Sequence, residues 1–161
     1  MIPKIIHYCW FGGNPLPSDA KKCIESWKKF FPEYEIKEWN EGNFDVCCCD
    51  YVKEAYAAKK WAFVSDYARF WILYHEGGLY FDTDVEVIRD MSAIVERGAF
   101  MGCEGSSVCN PGLGLAAAPG LGLYKELLDY YEHIHFNING DMVETVVDHT
   151  TKLLKSHGWE G

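Results

Sequence analysis

With 161 residues, 48% of them apolar and 16% aromatic, the chain can fill one sizeable core and is too apolar to stay disordered. Its formal net charge of −9 argues against a nucleic-acid backbone or an anionic lipid surface as partner, since either would select a basic face. No run of about 18 apolar residues is present for a membrane span and the N-terminus lacks a signal-peptide pattern, so the expected compartment is the cytoplasm.

Residues 4–10 (KIIHYCW) read as a first strand, running into Phe11-Gly12-Gly13. Ser18 is a candidate N-cap for a helix to about Phe31, with Ile24, Trp27 and Phe31 on one face and Pro32 ending it. Residues 35–39 alternate as a second strand, residues 40–50 form a loop, and a short helix follows near 51–58. This strand, helix, strand, helix order predicts an α/β domain spanning 1–161, with a mostly parallel sheet covered by helices. In such sheets ligands collect outside the carboxyl ends of the strands.

The stretch WAFVSDYARFWILYHEGGLYFDTD (residues 61–84) organises the rest. Its first part is apolar on nearly all sides, as a buried helix is. Asp66 and Arg69 interrupt it at i and i+3, on one face, either as an internal ion pair or as groups that meet a ligand. Gly77-Gly78 stops the helix and turns the chain into a short strand that ends at Asp82 and Asp84. Side chains alternate along an extended segment, so the two aspartates are expected to point the same way and to hold a divalent cation.

Beyond them, residues 85–88, 99–104 and 113–118 read as strands, with a loop (GSSVCNPG) before the last. Helices are predicted at 124–136 and 141–157. The seven cysteines are odd in number; Cys47, Cys48 and Cys49 are consecutive, and Cys9, Cys23, Cys103 and Cys109 fall inside apolar segments. Reduced thiols are expected, and without a C-x-x-C pair structural zinc is not. His133, His135, His149 and His157 share no ligand spacing.

The ordered set Ser65-Asp66-x-x-Arg69, Gly77-Gly78 and Tyr80-x-Asp82-x-Asp84, with the opening I-H-x-x-W-F-G-G, resembles glycosyltransferase family 32, the group with the DXD sugar-binding region. That group includes bacterial capsular polysaccharide sugar transferases and fungal initiation-specific mannosyltransferases. The resemblance implies a GT-A-like, Rossmann-like fold and retaining transfer of a hexose from a nucleotide-diphosphate sugar, a UDP-hexose or possibly GDP-mannose, to a saccharide acceptor. It assigns Trp10 to the nucleotide base, and Phe11 and Tyr80 to the nucleotide-sugar pocket. Asp66 and Arg69 go to the donor hexose, Asp82 to ribose or sugar and metal, Asp84 to Mn²⁺ or Mg²⁺, and Asn110 to the sugar and acceptor side. Asp66, Arg69, Asp82 and Asp84 form the implied catalytic set. Relatives usually continue well beyond residue 161, which leaves two other readings open: a non-catalytic nucleotide-sugar-binding domain, or a donor hydrolase lacking the acceptor region.

Overall fold

A computed structural model describes residues 1–136 and 144–161. Its centre is a five-stranded sheet in the order β2-β1-β3-β7-β4, where β1 is Ile5–Cys9, β2 Glu35–Trp39, β3 Gly78–Tyr80, β4 Phe100–Met101 and β7 Leu115–Ala117. β2, β1 and β3 are parallel, with Ile6 opposite both Ile36 and Leu79. β7 is antiparallel to β3 and to β4, so four of the five strands share a direction, as the element order led one to expect. A two-stranded ribbon, β5 (Cys103–Glu104) with β6 (Val108–Cys109), projects beyond β4.

Period-two alternation divides the core between the two faces. Ile6, Tyr8, Leu79, Phe81 and Ala116 face α1 (Ser18–Phe30) through Cys23, Ile24 and Trp27. Cys9, Tyr80, Leu115 and Ala117 face α3 (Trp61–His75) and α5 (Gly122–Glu132), backed by α2 (Asp50–Ala57). His7 is buried in the sheet as a neutral group of fixed tautomer. Trp39 Nε1–H donates to its Nδ1 at 3.0 Å, so the ring proton sits on Nε2, 2.8 Å from the Gly77 carbonyl.

The turn from α3 into β3 needs both of its glycines. Gly77 and Gly78 have φ of 68° and 111°, and a Cβ on either would lie 2.6 Å from Pro119 Cδ or from the Ile5 carbonyl oxygen. That close approach is what lets β3 pair with β1 directly after the helix.

Several boundaries differ from the sequence reading. α1 starts at Ser18 itself: Pro17 is the N-cap, its carbonyl accepts from Lys21 N–H, and the Ser18 hydroxyl caps nothing. Residues 85–88 form no strand. They are tied to α1 instead, Trp27 Nε1–H donating to the Val85 carbonyl and Val87 N–H to Ser26 Oγ. The expected strand at 99–104 breaks into β4 and β5 around Gly102, which leaves Cys103 exposed rather than inside an apolar segment. A short helix α4 (Ser92–Val95) was not foreseen. The last helix, α6 (Val146–Ser156), is capped by the Thr145 hydroxyl; the earlier start expected at Asp141 lies outside the described residues.

Candidate active site

The carboxyl ends of β1 and β3 lie side by side, and three charged groups meet there. Arg69, on the sheet-facing side of α3, has a side chain only 4% exposed. Its Nη2 donates to Asp66 Oδ1 at 3.0 Å and to Asp82 Oδ1 at 3.1 Å, and its Nε to the Ser65 carbonyl at 3.1 Å. The Tyr80 hydroxyl donates to the same Asp82 oxygen at 3.1 Å, and the guanidinium carbon lies 5.2 Å from the Tyr80 ring centroid. One nitrogen, Nη2, thus ties the helix carboxylate to the first aspartate of the D-x-D, while Nε fixes the guanidinium on the Ser65 carbonyl. Of the two readings left open for Asp66 and Arg69, the structure shows the ion pair, and the pair reaches Asp82.

The two aspartates do not share the alternation expected of them. β3 ends at Tyr80, and Val85 N–H donates to the Asp82 carbonyl at 3.1 Å, closing a turn over residues 82–85. Asp82 stays against Arg69, its side chain 32% exposed, while Asp84 is exposed and forms no ion pair among the described residues.

A third segment holds Asp82 from the other side. The Asp82 N–H donates to the Gly112 carbonyl at 3.4 Å, in the single turn of 3₁₀ helix Pro111–Leu113. A Cβ on Gly112 would collide with Asp82 Oδ2 and come within 3.4 Å of Arg69 Nη1. Asn110 shapes this turn: its Oδ1 accepts from Gly112 N–H at 2.9 Å, and its Nδ2 donates to Glu104 Oε1 at 2.5 Å. Gly112 was not singled out from the sequence, because a glycine after proline reads as any turn. Gly112→Ala is expected to push Asp82 off Arg69 and weaken binding at this site about tenfold or more while the protein stays folded, measurable by ligand titration beside urea unfolding.

Burial strains the charges that meet here. It pushes the Asp66 carboxyl up to about 6, against the pull of Arg69, with Asp82 adding to the rise. Asp82 is raised in the same way by burial, opposed by Arg69 and the Tyr80 hydrogen bond. Burial opposes the charge on Arg69, but Asp82, Tyr80, Asp66 and Cys9 together outweigh it, so the guanidinium stays protonated. Asp66 is therefore more acidic in the unfolded chain, near 3.8, than in the folded one. Its contribution to stability is complete below that value and is lost as the pH rises through about 6, a loss on the order of 3 kcal/mol. Asp66→Asn is expected to remove that step; a wild-type stability profile that falls no more between about pH 4 and pH 7 than the variant's contradicts the assignment.

Trp10 stands at the same edge of the sheet, on the β2 side of β1. It is half-buried, its Nε1–H donates to the Asn14 carbonyl at 2.6 Å, and it lines a cavity of about 400 Å³ with Leu16, Lys21, Glu38, Asn40 and Glu41. The lining of this cavity stops short of Asp82 and Asp84. Glu41 accepts from both the Gly12 N–H and the Tyr56 hydroxyl, which fixes the loop after β1. Two assigned side chains sit elsewhere than the resemblance implied. Phe11 is 3% exposed and packs against Phe44 in the core, and Tyr80 is buried beneath Asp82, orienting that carboxylate instead of facing a ligand. A larger cavity of about 960 Å³ lies at the opposite edge of the sheet, among Phe30, Phe31, Tyr34 and Ala118, away from the carboxylates.

The donor atoms fit a hard divalent ion, in a partial way. Asp84 offers free carboxylate oxygens and Asp82 an Oδ2 that Arg69 does not use. No group of three or more acidic, histidine or cysteine side chains converges among the described residues. Such a set suits a cation that takes the rest of its oxygens from water and from ligand phosphates.

Sheet, flanking helices and the acidic edge together define a GT-A-like α/β domain. The chain belongs to the family described as glycosyltransferase sugar-binding region containing DXD motif, whose family model matches residues 17–101. It is 29% identical over 109 residues to an uncharacterized glycosyltransferase of Acanthamoeba polyphaga mimivirus, a match covering 62% of this chain and 42% of that protein. The match thus spans less than half the length of this relative. The fold is similar to that of the PaToxG glycosyltransferase, with a TM-score of 0.72 at 18% identity, covering 97% of this chain and 70% of that one. Among the described residues no helix is long and apolar enough to cross a membrane.

Proposed function

We propose that this domain is a metal-dependent, retaining hexosyltransferase that takes a nucleotide-diphosphate sugar as donor and a saccharide as acceptor, acting in the cytoplasm on surface or capsular polysaccharide. The observation that carries the reading is the buried Arg69 joined at once to Asp66 and to Asp82 at the carboxyl edge of the strands. A carboxylate and a forked cation held this way present acceptors and donors to sugar hydroxyls and phosphate oxygens, in a place where water competes poorly.

In this reading Trp10 stacks on the base, and the loop 11–13 contributes through its backbone, since the Phe11 ring belongs to the core. Asp66 accepts from hydroxyls of the donor hexose, and Arg69 keeps that carboxylate ionised while reaching sugar or phosphate. Asp82 contacts the ribose or sugar, and Asn110 stands at the acceptor side. Asp84, with Asp82 directly or through water, would hold Mn²⁺ or Mg²⁺, which supplies Lewis-acid neutralisation of the departing diphosphate. The bond from the anomeric carbon to the diphosphate oxygen breaks and the acceptor oxygen bonds from the same face. The acceptor's proton passes to the leaving phosphate oxygen, so no protein carboxylate need be glycosylated. A sugar trapped covalently on Asp66 or Glu104 refutes this route.

The test is a titration of uridine and guanosine diphosphate sugars with and without Mn²⁺. A uridine-linked hexose is expected to bind best, and only with the ion. Trp10→Ala is expected to lose about 1–3 kcal/mol of nucleotide affinity without altering metal preference. Equal affinity in the wild type and the variant removes the base from Trp10. No metal-dependent donor binding at all removes the transferase reading.

A further inference from the structure

We infer that Cys103 and Cys109 are a thiol–disulfide modification site, a pair that closes reversibly within the ribbon next to the carboxylate cluster. The two residues face each other across β5 and β6, with their sulfurs 3.3 Å apart. Both are free thiols, Cys103 exposed and Cys109 buried.

The backbone pattern places them on the rung of an antiparallel pair where side chains approach most closely. Asn110 N–H donates to the Gly102 carbonyl at 2.8 Å, which makes the neighbouring rung the hydrogen-bonded one. Cys109 N–H instead donates to Thr151 Oγ1 at 3.0 Å, and its carbonyl accepts from the same hydroxyl at 3.3 Å. Neither backbone group of Cys109 is spent on Cys103. A non-hydrogen-bonded rung has the shorter Cα separation, within the range a disulfide spans.

Exposure divides the chemistry into two steps. With oxidised glutathione as oxidant, the Cys103 thiolate attacks one sulfur of the small disulfide, forming a mixed disulfide and releasing one glutathione thiolate. Cys109 then loses its proton and attacks Cys103 Sγ; the protein disulfide forms and the second glutathione leaves as a thiol. Two protein thiols are oxidised, and one small disulfide is reduced to two thiols. Burial pushes the Cys109 thiol up, so its attack on Cys103 Sγ quickens as the pH rises.

The pair is placed to affect the site. Cys109 precedes Asn110, which caps the turn whose Gly112 carbonyl holds Asp82, and Asn110 Nδ2 bonds back to Glu104 on the strand of Cys103. Closing the disulfide fastens both ends of that brace.

The experiment treats the full chain, carrying Ser at Cys47, Cys48 and Cys49 to silence the rival thiols, with oxidised glutathione and maps peptides without reduction. Wild-type Cys103 and Cys109 are expected to appear as one cross-linked pair lacking two hydrogens. The preceding glutathione adduct on Cys103 should decay about tenfold faster per pH unit. Cys109→Ser should keep the adduct on Cys103 indefinitely, and Cys103→Ser should leave Cys109 unmodified. A wild-type adduct on Cys103 that persists at about pH 9 as it does in Cys109→Ser overturns the proposal. So does a Cys109 cross-linked to Cys9 or Cys23. None of these outcomes depends on donor binding, so the disulfide can fail while the transferase reading stands.

Discussion

Arg69→Met is expected to cost the fold about 3–5 kcal/mol and to abolish donor binding, the largest combined effect of any single substitution at this site. Methionine fills nearly the same volume beneath the sheet, so the loss is not one of packing. What disappears is the cation between Asp66 and Asp82, which leaves two carboxylates in a half-dry site with the Tyr80 hydroxyl as the remaining donor to Asp82. Both acids then titrate upward, so the variant should regain stability as the pH falls, over a wider range than the wild type does. Adding Asp66→Asn should restore at least half of the lost stability without restoring binding, because one buried charge is gone but so is the carboxylate proposed to accept from the sugar. Arg69→Lys should fall between the two, since its ammonium keeps a cation for Asp66 and Asp82 but lacks the separate Nε that holds the Ser65 carbonyl. Urea unfolding from about pH 4 to pH 8, beside donor titration, checks all three. A loss below about 1 kcal/mol in Arg69→Met shows that the carboxylates are already neutral or hydrated, and that the arginine does not organise the site.

How much of this was legible in the sequence depends on the range of the contact. The strands expected at residues 4–10 and 35–39 and the buried helix expected at the start of the 61–84 stretch rest on apolar patterning, which is local, and β1, β2 and α3 lie within those stretches. The pairing of Asp66 with Arg69 is an i, i+3 relation and equally local. The bond from Arg69 to Asp82 spans 13 residues and depends on the two glycines folding β3 back beside the helix, so sequence spacing indicated convergence but not the partner. The alternation expected through Asp82 and Asp84 fails because the strand ends at Tyr80; one backbone hydrogen bond, from Val85 N–H to the Asp82 carbonyl, turns the chain first. Gly112 and the 3₁₀ turn were invisible for a different reason. A contact 30 residues further along leaves no periodic trace, and the only local sign was an asparagine two residues before a glycine.

The turn that ends the alternation also leaves the two aspartates in different surroundings, one against Arg69 and one exposed, and substitution should expose a matching division in what they do. Asp84→Ala is expected to leave stability within about 0.5 kcal/mol of wild type, since its carboxylate is exposed and has no ion-pair partner among the described residues. The same change should remove the Mn²⁺-dependent part of donor affinity, about a hundredfold, because it deletes the carboxylate most free to join a cation to a diphosphate. Asp82→Ala should do the reverse in proportion. It frees Arg69 from one of two carboxylates and strips the Tyr80 hydroxyl of its acceptor, so stability falls measurably, and binding falls with or without the ion. Titrating a uridine diphosphate sugar into wild type and both variants, with Mn²⁺ and with a chelator, separates the two patterns. Should Asp84→Ala keep the full Mn²⁺ enhancement, the cation is not held by the exposed aspartate, and the acidic edge of the sheet serves the sugar alone.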